Sequence, residues 1–166
     1  MNRRIIWTTI LCMLAGILQS TLLAKVSILG VVPDVALCIV VYCAYINGTM
    51  TGQLSGFLSG LLLDFLSAAP LGLNCLVRTL IGALAGVFKG ALFLDYLLMP
   101  VILCALATII KAVIIFILHL FMGSLVQAYS LTTPVFWIEL GFNAVSAPLL
   151  FLLLRRLTFL TPGRNE

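Results

Sequence analysis

Residues 48–90 read GTMTGQLSGFLSGLLLDFLSAAPLGLNCLVRTLIGALAGVFKG. Two glycine ladders with a spacing of four flank a turn: Gly48, Gly52, Gly56 and Gly60 before it, Gly82, Gly86 and Gly90 after it. The turn is Ser67-Ala68-Ala69-Pro70-Leu71-Gly72. Each ladder meets a charge on its way to the turn. Asp64 follows Gly60 by four residues, and Arg78 precedes Gly82 by four. In water this stretch is a poor helix, because an interior glycine costs about 1 kcal/mol relative to alanine. In a bilayer the backbone has no water to bond, so the helix is enforced. Small residues at every fourth position then let two backbones approach. The stretch predicts a transmembrane hairpin packed through Gly52, Gly56, Gly60, Gly82 and Gly86, with the Asp64 carboxylate opposite the Arg78 guanidinium. A step of four drifts by about 40° around a helix. Gly56, Gly60 and Asp64 nearly share a face, as do Arg78, Gly82 and Gly86. The half of each ladder nearest the turn is therefore expected to carry the contact.

The whole chain suits the same solvent. Of its 166 residues, 63% are hydrophobic and 8% charged, and the mean hydropathy is +1.28. Soluble domains are nearer 45–50% apolar and about 25% charged. The reading is an integral membrane protein, all-α, with no room for a soluble domain. The formal net charge of +4 is not a nucleic-acid signal, because most basic residues flank apolar runs. Cys12, Cys38, Cys43, Cys75 and Cys104 all fall inside apolar runs and form no C-x-x-C pair, which reads as small buried hydrophobes. Asn2-Arg3-Arg4 before an apolar run fits the charged start of a signal peptide. The run from Ile5 to Ala24 is nevertheless about 20 residues, long enough to span, and no A-x-A site follows it. It reads as a retained first helix.

Apolar runs and breakers divide residues 1–166 into one domain of six spans, at about 5–23, 34–46, 50–66, 71–88, 98–122 and 133–154. Asp34 is a natural N-cap for the second, which is short unless Val31 to Pro33 already lies at the interface. Asn47-Gly48 marks a tight turn. Pro100 is tolerated in a first turn, and Pro148 predicts a kink. Six spans put both termini on one side. Arg3, Arg4, Lys89, Arg155, Arg156 and Arg164 fall on that side, and Lys25 on the other. By the positive-inside rule the termini are cytoplasmic. Trp7, Trp137, Tyr96 and Tyr129 lie near span ends, where interfacial aromatics sit.

Five ionisable residues fall within the spans: Asp64, Arg78, Lys111, His119 and Glu139. Each Arg, Lys or Asp costs roughly 2.5–3.5 kcal/mol at a helix centre, so such residues face the bundle interior and find partners. Four of them, all but Lys111 near mid-membrane, fall in the outer half by this topology. Asp64–Arg78 is the expected pair, and Glu139 could reach His119, Lys111 or Arg78. One reading makes them buried pairs that fix helix register, since polar groups act as glue between membrane helices. Another makes them an outward-facing polar pocket for a ligand or a partner helix. A proton path would need the acidic chain that pumps use, which is absent. His119 has no second His or nearby Cys to complete a metal site. No catalytic constellation, metal or cofactor is expected. The glycine ladders favour packing within one chain, although a homodimer or partner interface would use the same contact.

Three stretches resemble the rod shape-determining protein MreD family: PDVALCIVVY (33–42), GQLSGFLSGLLLDFLSAAPLGLN (52–74) and TLIGALAG (79–86). The core of the likeness is G-F-x-x-G-L-L-x-D followed by P-L-G, and it covers roughly the first 90 residues. The resemblance implies a non-enzymatic inner-membrane component of the bacterial elongation machinery. It implies work with MreC, the actin-like MreB, the glycosyltransferase RodA and a class B penicillin-binding protein. It also implies a six-helix bundle similar to the substrate-binding subunits of energy-coupling-factor transporters. That similarity supplies the alternative function, a small-molecule-binding membrane subunit of a transporter. No catalytic residues carry over.

Overall fold

The computed structural model describes residues 2–21, 27, 30–67, 69–90, 98–126 and 133–157. Lys25, Asp95, Tyr96, Tyr129 and Arg164, on which parts of the topology reading rest, lie outside the described residues. The described residues hold six α-helices and no strand: α1 (Asn2–Thr21), α2 (Val35–Asn47), α3 (Thr49–Leu66), α4 (Leu73–Val87), α5 (Leu98–Met122) and α6 (Pro134–Arg155). Residues Gly123–Leu125 add a 3-10 turn after α5. Two helices, α5 and α6, are long and apolar enough to cross a membrane; α1, α2 and α4 carry shorter apolar stretches.

The breakers act where chain chemistry requires them. Gly48 has φ +98°, a conformation that L side chains rarely adopt. It ends α2, its N–H reaching the Ala44 carbonyl at 2.7 Å, and it starts α3, its carbonyl accepting from Gly52 N–H at 3.0 Å. Gly72 has φ +95° in the left-handed region and begins α4. Pro134 opens α6, where a missing N–H costs nothing. Pro148 lies inside α6, and the helix continues through it.

α2 is the centre. Ala36 through Ala44 are buried without a break, so every face of the helix is covered, as an all-round apolar helix requires. α1, α3, α4, α5 and α6 all pack against it. The distribution of side chains is inverted relative to a water-soluble protein. Phe121 is 84% exposed, Val145 77% and Leu149 74%, whereas Thr8, Ser55 and Asn143 are fully buried. Contiguous apolar surface on this scale has no stable place in water.

α3 and α4 form the most intimate pair. A Cβ on Gly52 would strike the Gly82 carbonyl, and one on Gly82 the Gly52 carbonyl. A Cβ on Gly56 would strike the Arg78 carbonyl. A Cβ on Gly60 would sit 2.5 Å from both the Asn74 oxygen and the Cys75 Cα. One on Gly86 would run into Thr49. The obstacles are backbone atoms, which have no rotamer to yield. The contact runs the whole length of the pair and is not confined to the half nearest the turn. The reason is geometric: a row of every fourth residue winds slowly around its helix, and two crossing helices follow each other's rows. Gly141 on α6 differs, since nothing lies within 4 Å of its added Cβ.

Candidate functional site

The close α3–α4 seam and the buried α2 bring charged side chains from four helices to one place. Asp34 caps α2, its Oδ1 accepting from Leu37 N–H at 3.0 Å. The same oxygen accepts from Arg78 Nη2 on α4 at 2.7 Å. Its other oxygen accepts from Lys111 Nζ on α5 at 2.9 Å. Lys111 Nζ also donates to Glu139 Oε1 on α6 at 2.6 Å. The result is a line of alternating charge, Arg78–Asp34–Lys111–Glu139, with two cations and two anions. All four side chains are largely buried, the most exposed being Lys111 at 18%. A line that sums to zero is the arrangement in which burying ions costs least.

Neutral groups finish the surroundings. Asn143 on α6 accepts from Asp34 N–H at 2.7 Å and donates to Thr108 Oγ1 on α5 at 2.9 Å. Gln19 on α1 donates to the Pro33 carbonyl at 2.6 Å and accepts from Ala36 N–H at 3.3 Å. The first N–H groups of a helix have no partner within it. At α2 they are taken by Asp34 and Gln19 side chains, which lets this helix begin inside the bundle. Arg78 Nη1 is buried with no hydrogen-bond partner among the described residues.

The predicted cluster of Asp64, Arg78, Lys111, His119 and Glu139 is thus brought together only in part. Arg78, Lys111 and Glu139 meet. The expected Asp64–Arg78 pair does not form, because Arg78 turns to Asp34 and Asp64 has another task. Its carboxylate accepts from the N–H groups of Gly72 at 2.9 Å, Asn74 at 2.9 Å and Cys75 at 3.1 Å, and from the Asn74 amide at 3.0 Å. It is the anion at the start of α4, where orphan donors and the helix dipole both favour negative charge. His119 Nδ1 donates to the Val126 carbonyl at 2.7 Å and stays outside the network. Glu139 takes Lys111 among its three expected candidates.

Sequence reasoning treats Asp34 as a cap alone, reads Gln19 as a polar residue softening the far end of the first span, and gives no partner to Gln19, Thr108 or Asn143. A signal for Asn143 existed: an amide in the middle of an apolar run needs a partner as a charge does. The five cysteines are free and buried. Thr8 Oγ1 donates to Cys43 Sγ at 3.2 Å. Among the described residues no group of three or more His, Cys, Asp or Glu could hold a metal ion. Chemically, every charge in the line is engaged with another, an arrangement able to hold helices in register.

The sequence profile of the family described as rod shape-determining protein MreD matches residues 1–157. The chain belongs to the MreD family. The match reaches through α5 and α6, well past the first 90 residues whose motifs carry the resemblance. Of the residues that carry the resemblance, Gly56 and Gly60 lie in the α3–α4 seam, and Asp64 and Gly72 meet at the start of α4, where Leu73 N–H donates to the Pro70 carbonyl at 3.1 Å. MreD membership fits a role in rod shape determination, in a structural family and not a known enzyme family. No curated protein and no solved structure matches the chain.

Proposed function

We propose that this chain is a multi-pass inner-membrane scaffold of the bacterial rod complex. All six helices cross the bilayer and both termini are cytoplasmic. The charge line Arg78–Asp34–Lys111–Glu139 then runs from the outer half of the bundle to Lys111 near mid-membrane. The scaffold binds the transmembrane helix of MreC and, through the complex, works with MreB, RodA and a class B penicillin-binding protein. The observation that carries the reading is the neutral charge line, each ion paired with another, in a bundle whose exterior is apolar. Such a line spends its ions on tying four helices together and presents no group for substrate chemistry. MreD family membership supplies the biological setting.

The experiment is depletion and complementation. Loss of the chain should give round cells, its return should restore rods, and MreC should co-purify with it from membranes. Rod shape maintained without it, together with no recovery of MreC, would reject the proposal.

The alternative, a ligand-binding transport subunit, has a cleft to use. A cleft of about 310 Å³ lies among Gly16, Gln19, Val32, Leu63 and Ser67. That volume is at the low end for ligand pockets. None of its lining residues is charged, and the Gln19 amide is already engaged with the backbone at α2. Co-purification with an energising ATPase pair in place of MreC would favour this reading.

A further inference from the structure

The charge line divides into two parts, each neutral by itself. Arg78 and Asp34 belong to α4 and the start of α2. Lys111 and Glu139 belong to α5 and α6. The amide–hydroxyl pair Asn143–Thr108 is likewise internal to α5 and α6. Within the network, the two parts are joined by the Lys111–Asp34 ion pair at 2.9 Å and the Asp34 N–H bond to Asn143 at 2.7 Å. Elsewhere on the same boundary α2 packs side chains against α5 and α6 in the shared apolar core. Tyr42 of α2 meets Phe151 of α6 edge to face, with ring centroids 4.9 Å apart. Cys38 on α2 has Cys104 on α5 as a near neighbour.

Breaking a buried ion pair is costly when it strands a lone charge. Parting α5–α6 from the other four helices strands none. Lys111 keeps Glu139, Asp34 keeps Arg78, and Thr108 keeps Asn143. The α3–α4 seam offers no such division, since its contacts are backbone against backbone. We infer that the α5–α6 hairpin is a separable body that opens as a unit from α1–α4, with Lys111–Asp34 and Asn143–Asp34 as its latch. These contacts are the same whichever partner the bundle holds.

Native cysteines report on this boundary. Cys12, Cys38, Cys43 and Cys104 are equally buried, none more than 1% exposed. Cys38 and Cys104 face the proposed opening. Cys12 and Cys43 lie between α1 and α2, where Cys12 Sγ donates to the Ala36 carbonyl and Thr8 donates to Cys43. The full chain is placed in phosphatidylglycerol-containing nanodiscs and treated with N-ethylmaleimide, and each cysteine is followed by mass spectrometry. Cys38 and Cys104 should label together and faster than Cys12 and Cys43. In Lys111→Met with Glu139→Gln the hairpin's own ion pair and its ionic tie to Asp34 vanish while Asp34–Arg78 stays whole. Labelling of Cys104 should then rise about tenfold or more, the factor that goes with one lost charge-assisted hydrogen bond, with Cys12 unchanged. Should that variant fail to fold, the wild-type time course decides. Cys104 reacting no faster than Cys12 in the wild type, or all four rising together in the variant, would overturn the inference.

Discussion

The α3–α4 pair and the α5–α6 pair are both helical hairpins in one bundle, and they are held by different physics. α3 and α4 meet through glycines, with carbonyls and Cα atoms of each filling the space of the other's missing side chains. α5 and α6 meet through side chains, with an ammonium on a carboxylate and an amide on a hydroxyl. The first seam is set by shape and tolerates no added atom. The second is set by the pairing of side chains. A membrane helix gains little from hiding apolar surface, because lipid is as apolar as its neighbours. On the proposed six-span topology each helix must use one or the other of these means, and the two hairpins divide them.

The sharpest way to break the contrast is to add bulk to the glycine seam. In Gly60→Leu the new Cβ starts 2.5 Å from Asn74 and Cys75 backbone atoms, so α3 and α4 must part. The expected cost exceeds about 3 kcal/mol, the upper end of overpacking effects. Gly56→Leu should behave alike, for the same reason at Arg78. The measurement is the fraction of folded, monodisperse chain recovered in detergent. Recovery at wild-type levels by both variants would mean the backbones are not in contact.

The second test moves to the charge line. Asp34→Asn removes the anion shared by Arg78 and Lys111 and should cost about 3–5 kcal/mol, the range for stranding buried charge. Asp34→Asn with Arg78→Gln should cost less than the two single changes added together, with a coupling of about 0.5–3 kcal/mol. Denaturant titration of the purified chain reads it. Strict additivity would mean the pair does not interact. By the same logic Asp64→Asn and Arg78→Gln should be additive within about 0.5 kcal/mol, which is the reverse of what the sequence alone suggests.

That reversal shows where the sequence is legible. Apolar run lengths, breakers and the four-residue glycine spacing are local signals, and they lead to six helices and to the five glycines that α3 and α4 bring together. Charge pairing is not local. Asp64 and Arg78 look like natural partners because each stands one step from its ladder. Asp64, however, sits within reach of three N–H groups at the start of α4, and a carboxylate there gains more from fixed donors than from a swinging guanidinium. Asp34 lies 44 residues from Arg78, and only the three-dimensional path of α2 through the centre brings them together. The shortness of that span was a clue, since a helix of Val35–Asn47 begins inside the bundle, where its cap becomes a counter-ion.

A third test weakens the seam's end without touching its glycines. Asp64→Ala takes the acceptor from Gly72, Asn74 and Cys75 N–H groups. The expected loss is about 1–2 kcal/mol, the size of a removed helix cap. It should fall on the start of α4, so amide exchange of Gly72–Cys75 should speed up before that of α5. Uniform acceleration across all helices would instead assign Asp64 to the global charge line.

The smallest effect carries the cleanest contrast. Gly141→Ala and Gly56→Ala make the same chemical change on two helices. At Gly56 the added carbon runs into the Arg78 carbonyl, so alanine should destabilise. At Gly141 nothing lies within 4 Å, and alanine gains helix propensity of up to about 1 kcal/mol relative to glycine. In lipid much of that gain is already supplied by the enforced helix, so a rise between zero and that figure is expected from denaturant titration. Opposite signs for one substitution would separate a packed glycine from an open one without any argument about charge. A loss at Gly141 equal to that at Gly56 would mean the outer face of α6 is itself closely covered in the folded protein, and the contrast between the two hairpins would then be one of partner, with the same close packing in each.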